Sequence, residues 1–331
     1  MRKLKKYDRK FLISQIALVI LCVLRVSKWK KYDHSARILL LDDYDFTLIV
    51  SVVMCIALFL LYMFVLKRVD EGMRNKTFYV IMLVTVMLYP TYAHSRYMGA
   101  MDIYGLILGV ISIVLIVTEF CEWIDIILMG MAVFINPMCI FSMGVIVPLV
   151  LLYKFLVKED TKRLVICICL CIVEVVGFFA SRMMGMFAVD ERELIDIRKF
   201  IVILVFLTPF IFVACLTFIN LIKNSKRTND KVYYLLSAFT GVSSFVVWTI
   251  RGDYTRAIVN LFICYGVWLL VMMSYRDELL SEQMDSLSVK IKKWVPISGV
   301  IVIYVLAIML YWMCGVESVS KEVRLELVVE Q

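Results

Sequence analysis

Proline, glycine and charged residues are scarce in this chain. Of 331 residues, five are proline, thirteen are glycine and 19% are charged, whereas 63% are hydrophobic and the mean hydropathy is +0.90. Soluble domains are roughly half apolar, so this composition excludes an ordinary soluble globular protein. The apolar runs suit helices of roughly 20 residues per bilayer crossing and few residues break them, which favours an all-α transmembrane helical bundle over a transmembrane β-barrel.

The sequence also lacks the short motifs of several enzyme classes. It has no phosphate-binding glycine loop, no zinc-ligand spacing and no nucleophile elbow, which argues against an ATP-driven pump acting alone. The loops between apolar runs are too short to fold by themselves. We therefore predict that residues 1–331 form a single integral-membrane domain with no separate soluble domain.

The positions of the cysteines and of the basic residues also favour a membrane protein. The ten cysteines lie almost wholly inside apolar runs, where a free thiol behaves as a small hydrophobic group, so we expect no disulfide framework. The net charge of +8 comes from lysines and arginines that flank the apolar runs. This arrangement indicates attraction to a membrane surface and to membrane lipid, and it predicts no nucleic-acid partner.

About eleven apolar segments are predicted to contact or cross the membrane. They lie near residues 11–27, 47–66, 77–91, 103–122, 125–136, 138–153, 164–181, 200–222, 232–250, 257–274 and 296–314. The fifth and sixth form one stretch that Asn136-Pro137 divides, and each is short for a full span. We predict that they form a hairpin of two short helices, because counting them as one span would reverse every later segment.

The distribution of lysine and arginine predicts the orientation. With the N-terminus cytoplasmic and the C-terminus external, the cytoplasmic loops carry more basic residues than the external ones. The mixed charged and aromatic segments 25–37 and 186–200 are predicted to be interfacial amphipathic helices in external loops. Residues 280–294 have the same character on the cytoplasmic side and predict a helix that tethers two spans to anionic lipid.

Three polar interruptions are predicted to emerge on the external face. The first contains Asp42, Asp43 and Asp45, three like charges within four residues. Such crowding suits a general base or a divalent-cation site, with Asp43 and Asp45 as the ligands, because alternate side chains of an extended loop point the same way. The alternative is a solvated loop in which Asp45 caps the following helix.

The second interruption contains His94, Arg96 and Asp102. Arginine suits phosphate binding because its planar fork can contact two oxygens at once. The alternative is interfacial anchoring by Arg96 and the neighbouring tyrosines.

The third interruption is a short loop with Arg251, Asp253 and Arg256 at the membrane boundary. We interpret it as a cationic seat for a lipid phosphate, held in register by the aspartate; the alternative is simple ion pairing of Asp253 with an arginine. A further polar residue, Glu174, lies within the seventh apolar segment. Because an intramembrane carboxylate is costly, we predict that Glu174 is protonated and hydrogen-bonded.

The aspartate cluster after the first segment, with a later external arginine, resembles the type C superfamily of integral-membrane glycosyltransferases, which use polyprenyl-phosphate-linked sugars. That family carries an acidic residue or a D-x-D-like pair in its first external loop, the position of Asp42-Asp43-Tyr44-Asp45 here. It also has interfacial helices in external loops and an external arginine near the lipid phosphate, for which Arg251 and Arg256 are the candidates. The resemblance implies a bacterial plasma-membrane enzyme of cell-envelope polysaccharide biosynthesis.

The resemblance implies sugar transfer to a glycan or lipid acceptor on the outer face, with inversion expected. Asp43 becomes the general base or an acceptor-orienting carboxylate, with Asp42 and Asp45 as alternates or metal ligands. Arg96, Arg251 and Arg256 become the residues that bind the phosphate, and the candidate cofactor is a divalent cation, Mg²⁺ or Mn²⁺. Two alternatives stay open: a polymerase, ligase or acyltransferase of lipid-linked glycans, and a transporter or flippase of a lipid-linked or anionic substrate.

Overall fold

The computed structural model of the chain describes residues 53, 102–120, 123–184, 197–250, 254–275 and 277–294. The secondary structure of these residues is helical, with no strand among them. Their α-helices are α1 (Asp102–Thr118), α2 (Trp123–Ile135), α3 (Met143–Leu156), α4 (Thr161–Met183), α5 (Ile197–Asn224), α6 (Thr228–Ile250), α7 (Tyr254–Ser274) and α8 (Glu278–Trp294). The prediction of an all-α chain is confirmed for this part.

The predicted segments and the observed helices agree closely. Five apolar segments coincide with α1, α4, α5, α6 and α7, and the predicted cytoplasmic surface helix coincides with α8. The segments near 11–27, 77–91 and 296–314 lie outside the described residues, as does that near 47–66 except for the helical Val53. Of the predicted interfacial helices in external loops, only 197–200 are described, and these residues begin α5 instead.

The hairpin at Asn136-Pro137 is confirmed. Helices α2 and α3 are joined by a 3-10 turn, Pro137–Phe141, whose first residue is the proline. The side-chain oxygen of Asn136 accepts a hydrogen bond from the Met138 N–H and so caps the turn. Asparagine is a preferred N-cap residue, and proline is preferred at the position that follows it. Helices of 13 and 14 residues are roughly 20 Å long, less than the roughly 30 Å of a bilayer core.

The two hairpin helices pack between α1 and α4 through glycines. A Cβ on Gly177 of α4 would lie 3.0 Å from the carbonyl oxygen of Gly130 of α2, so these two backbones are in direct contact. A Cβ on Gly109 of α1 would meet the Met143 side chain at the start of α3. Small residues at these positions allow the close helix approach that membrane proteins use in place of a hydrophobic driving force.

Contacts between side chains define two ends of the bundle. At one, which we call the Asp277 end, the Tyr153 hydroxyl near the end of α3 and the Tyr234 hydroxyl near the start of α6 both donate to the Asp277 carboxylate, directly before α8. At the same end, the Lys154 ammonium donates to the Ile116 carbonyl, in the last turn of α1. The starts of α1 and α7 and the end of α6 therefore lie at the opposite end, which we call the tip end.

Large apolar side chains cover the outer faces of the long helices. On α6, Leu235, Phe239 and Val246 are exposed, whereas Ser237 and Ser244 are buried against the other helices. This pattern is the reverse of a soluble amphipathic helix, and contiguous exposed apolar surface marks contact with a membrane or a partner. Among the described residues, α4 and α6 are long and apolar enough to cross a membrane.

We expect Gly177→Val to weaken the packing of the hairpin. The added side chain must enter the contact with the Gly130 carbonyl, and overpacking of this kind costs about 1–3 kcal/mol. The measurement is thermal unfolding of the detergent-solubilised protein. Val176→Ala is the matched control, because Val176 is the adjacent residue and its side chain is 61% exposed. Equal stability of both variants with the wild type would contradict the glycine contact.

Candidate functional site

Most of the residues singled out from the sequence lie outside the described part of the chain. These are Asp42, Asp43, Asp45, His94, Arg96, Arg251 and Asp253. Asp102 and Arg256 are described in their backbone positions: Asp102 begins α1, and Arg256 lies in the first turn of α7. Of the residues predicted for the external site, these two are the ones whose location in the fold is described.

Both positions lie at the tip end of the bundle, beside the turn of the hairpin. Ala257, which follows Arg256, is fully buried in a small apolar cluster with Met138 of the turn and Trp248 of α6. Leu106, one helical turn after Asp102, lines a pocket with Met138 and Trp248. The hairpin thus brings the starts of α1 and α7 to one location, although they are more than 150 residues apart in the chain.

A small pocket lies at this location, at the apex of the hairpin. Its lining consists of Leu106, Asn136, Met138, Cys139, Ser142, Trp248, Asn260 and Ile263. It has room for about one water molecule, and Asn136, Ser142 and Asn260 give it a polar wall. The pocket is too small for a sugar, so it forms a polar floor beneath the tip end. Sequence reasoning identified the break at Asn136-Pro137 but not the pocket at its apex.

The Asp277 end holds a second polar cluster, which the sequence did not reveal. The Asp277 carboxylate is buried and accepts hydrogen bonds from Tyr153 at 2.9 Å, from Tyr234 at 2.8 Å and from the Leu280 N–H at 2.9 Å. The last bond makes Asp277 the N-cap of α8. An aspartate directly before a helical pattern was the available signal, but the two tyrosines come from distant helices.

The side chains around Asp277 are paired with one another. The Trp268 indole N–H donates to the Tyr233 hydroxyl at 3.0 Å, and the rings of Tyr153 and Tyr275 stack with centroids 5.4 Å apart. The Arg227 guanidinium forms an ion pair with Glu159 at 2.9 Å. This cluster therefore joins the loops after α3, α5 and α7 into one clamp.

Glu174 of α4 faces the hairpin. Its side chain is 3% exposed, and a Cβ placed on Gly144, in the first turn of α3, would lie 3.4 Å from Glu174 Oε1. Oε1 has no hydrogen-bond partner in the described part of the chain, so the predicted hydrogen bond is absent for this atom. The other buried carboxylate of the hairpin region, Asp125, accepts a hydrogen bond from Ser112 at 3.0 Å.

The described residues contain no cluster of three or more His, Cys, Asp or Glu side chains that could hold a metal ion. The divalent cation predicted at Asp43 and Asp45 concerns residues outside that part. The described cysteines are free thiols, and along α4 Cys167 is buried whereas Cys171 is exposed.

No family model matches the chain, and no curated protein or solved structure matches it either. The functional reading therefore rests on the residues and their placement.

We expect Asp277→Ala to destabilise the bundle more than a typical surface substitution. The change removes the cap of α8 and leaves two buried tyrosine hydroxyls without their acceptor, and hydrogen bonds to charged groups contribute about 1.5–3 kcal/mol each. Thermal unfolding in detergent measures the loss. Glu282→Ala is the control, because Glu282 lies exposed on the same helix. A loss no larger than that of the control would show that Asp277 does not clamp the helices.

Proposed function

We propose that this chain is an integral-membrane glycosyltransferase that moves a sugar from a polyprenyl-phosphate donor to a glycan or lipid acceptor. The observation that supports it best is the meeting of the starts of α1 and α7 over the polar apex of the hairpin. Asp102 opens the first of these helices, and Arg256 lies in the first turn of the second. An acidic and a basic position from two external loops thereby share one end of the bundle, as a site for a phosphorylated lipid requires.

The proposal includes a bundle of about eleven membrane segments in a bacterial plasma membrane, with the N-terminus cytoplasmic and the C-terminus external. The apolar outer faces of α4 and α6 support membrane insertion. The hairpin supports the orientation, because α3 returns to the end where α2 begins. In this orientation the Asp277 end is cytoplasmic and the tip end is external.

The chemistry requires two groups of opposite charge. The acceptor hydroxyl attacks the anomeric carbon and gives its proton to a carboxylate, for which we propose Asp43, with Asp42 and Asp45 as alternates. The bond from the anomeric carbon to the phosphate oxygen breaks, and its electron pair stays on the departing phosphate. Arg251 and Arg256 stabilise that negative charge. Direct displacement inverts the anomeric configuration.

The remaining external residues have supporting roles in the proposal. Arg96 supplies a further phosphate contact, and His94 and Asp102 contact the substrate from the same loop. Asp253 holds the two arginines of its loop in register. Mg²⁺ or Mn²⁺, if bound by the carboxylates of the first external loop, would add charge stabilisation at the phosphate, and no step above depends on it.

The first test is retention of lipid phosphate. We expect native mass spectrometry of the gently solubilised protein to show bound polyprenyl phosphate or its sugar conjugate. Arg256→Ala should reduce this retention about tenfold or more, because a charge-assisted contact of about 1.5–3 kcal/mol is lost. Arg227→Ala is the matched control: Arg227 is also an arginine, but it lies at the Asp277 end and pairs with Glu159. An equal loss in both variants would contradict a phosphate site at the tip end.

A second candidate function is transport of a lipid-linked or anionic substrate. The buried Glu174 beside a broken hairpin favours it, because discontinuous membrane helices frequently line transport sites. The two functions respond to different substitutions. For the glycosyltransferase, we expect Asp43→Asn to abolish sugar transfer to a supplied acceptor while lipid binding is kept, and Glu174→Gln to retain transfer. Full transfer by Asp43→Asn, with substrate movement across vesicles lost in Glu174→Gln, would favour the transporter.

A further inference from the structure

The carboxyl group of Glu174 lies at the joint where the hairpin turns. Glu174 is in the middle of α4, and the first turn of α3 meets it at Gly144. Glu174 Oε1 and the Cys139 carbonyl oxygen lie within 3.4 and 3.3 Å of the same point, the place of a Cβ on Gly144. A side chain at Gly144 would therefore contact both the carboxyl group and the backbone of the break.

No cation balances a negative charge at this place within the described residues. The ion pairs seen between two described residues are Lys154–Glu119, Arg163–Asp160 and Arg227–Glu159, and Glu174 takes part in none of these three. The titratable neighbours that interact with Glu174 are the thiols of Cys171 and Cys167, one and two helical turns earlier on α4. One helical turn later on α4, Gly177 packs against Gly130 and Val133 of α2, which are apolar.

The backbone around Glu174 offers partners for both states of a carboxyl group. Ser142 precedes α3 but makes no capping bond with its side chain; its hydroxyl donates to the Cys139 carbonyl instead. The first turn of α3 is therefore uncapped by a side chain, and its N–H groups favour negative charge nearby. In the same helix, Pro148 has no N–H to donate to the carbonyl of Gly144, the residue whose Cβ position lies 3.4 Å from Glu174 Oε1.

From this geometry we infer that Glu174 is a proton-binding site at the hairpin break, which carries its proton at neutral pH while the hairpin is packed as described. A bare carboxylate that is 3% exposed, with no counter-charge among the described residues, would cost several kcal/mol, so the protonated acid is the stable form. When the proton leaves to water, the charge that remains is drawn to the uncapped first turn of α3. Protonation of Glu174 is thereby coupled to the packing of the hairpin. This inference is independent of the proposed sugar transfer.

Infrared difference spectroscopy tests the inference directly. The full chain is reconstituted in lipid vesicles at neutral pH, and the spectrum of Glu174→Gln is subtracted from that of the wild type. We expect the difference to contain the carbonyl stretch of a carboxylic acid, which shifts to lower frequency in D₂O. The symmetric and antisymmetric stretches of a carboxylate in its place would overturn the inference, because they would show that Glu174 is charged.

Two further variants keep the result interpretable. Asp125→Asn removes the other buried carboxyl of the hairpin region and should leave the Glu174 band unchanged. Gly144→Ala places a methyl group 3.4 Å from Glu174 Oε1 and should shift the Glu174 band. A band unaffected by Gly144→Ala would show that the carboxyl does not lie at the break. If Glu174→Gln fails to fold, Glu174→Asp replaces it, and the inference then requires a shifted acid band and not a carboxylate.

Discussion

The break at Asn136-Pro137 is the constraint on which the rest of the described fold depends. A membrane interior offers no water to satisfy an interrupted backbone, so a break must be enclosed by protein. Here the Asn136 side chain caps the 3-10 turn, and α1, α4, α6 and α7 surround its apex. Because α2 and α3 turn back together, α4 begins at the same end of the bundle as α2.

The enclosure of the hairpin explains the distribution of polar and small residues in the bundle. Glycines lie where a hairpin helix touches its neighbours, and the clearest contact is that between Gly177 and the Gly130 carbonyl. The apolar bulk lies on the outside of α4 and α6, where lipid can cover it. Polar groups are concentrated at the two ends of the hairpin: a tyrosine–aspartate clamp at its base and an asparagine- and serine-lined pocket at its apex.

The two ends differ in what their chemistry can do. At the base, the Asp277 carboxylate is saturated by two tyrosine hydroxyls and a backbone N–H, so it serves to hold helices together. At the apex, the starts of α1 and α7 converge and carry residues suited to a phosphorylated substrate. Also near the apex, Glu174 has an oxygen without a hydrogen-bond partner among the described residues. A carboxylate held by three donors contributes stability, whereas a buried carboxyl group with an unpaired oxygen, as at Glu174 Oε1 and Asp125 Oδ2, is costly to charge.

Much of the described fold could be predicted because long apolar runs, proline and basic flanks are local properties of the chain. These properties predicted α1, α4, α5, α6 and α7, the hairpin and the surface helix α8 close to their observed positions. The convergence of Asp102 and Arg256 could be predicted only as a shared side of the membrane. Tertiary packing decided three features: the approach of the starts of α1 and α7 to the hairpin apex, the clamp at Asp277 and the unpaired oxygen of Glu174. Each depends on which distant helices touch. Helical periodicity specifies a buried face of a helix but does not specify which helix packs against it.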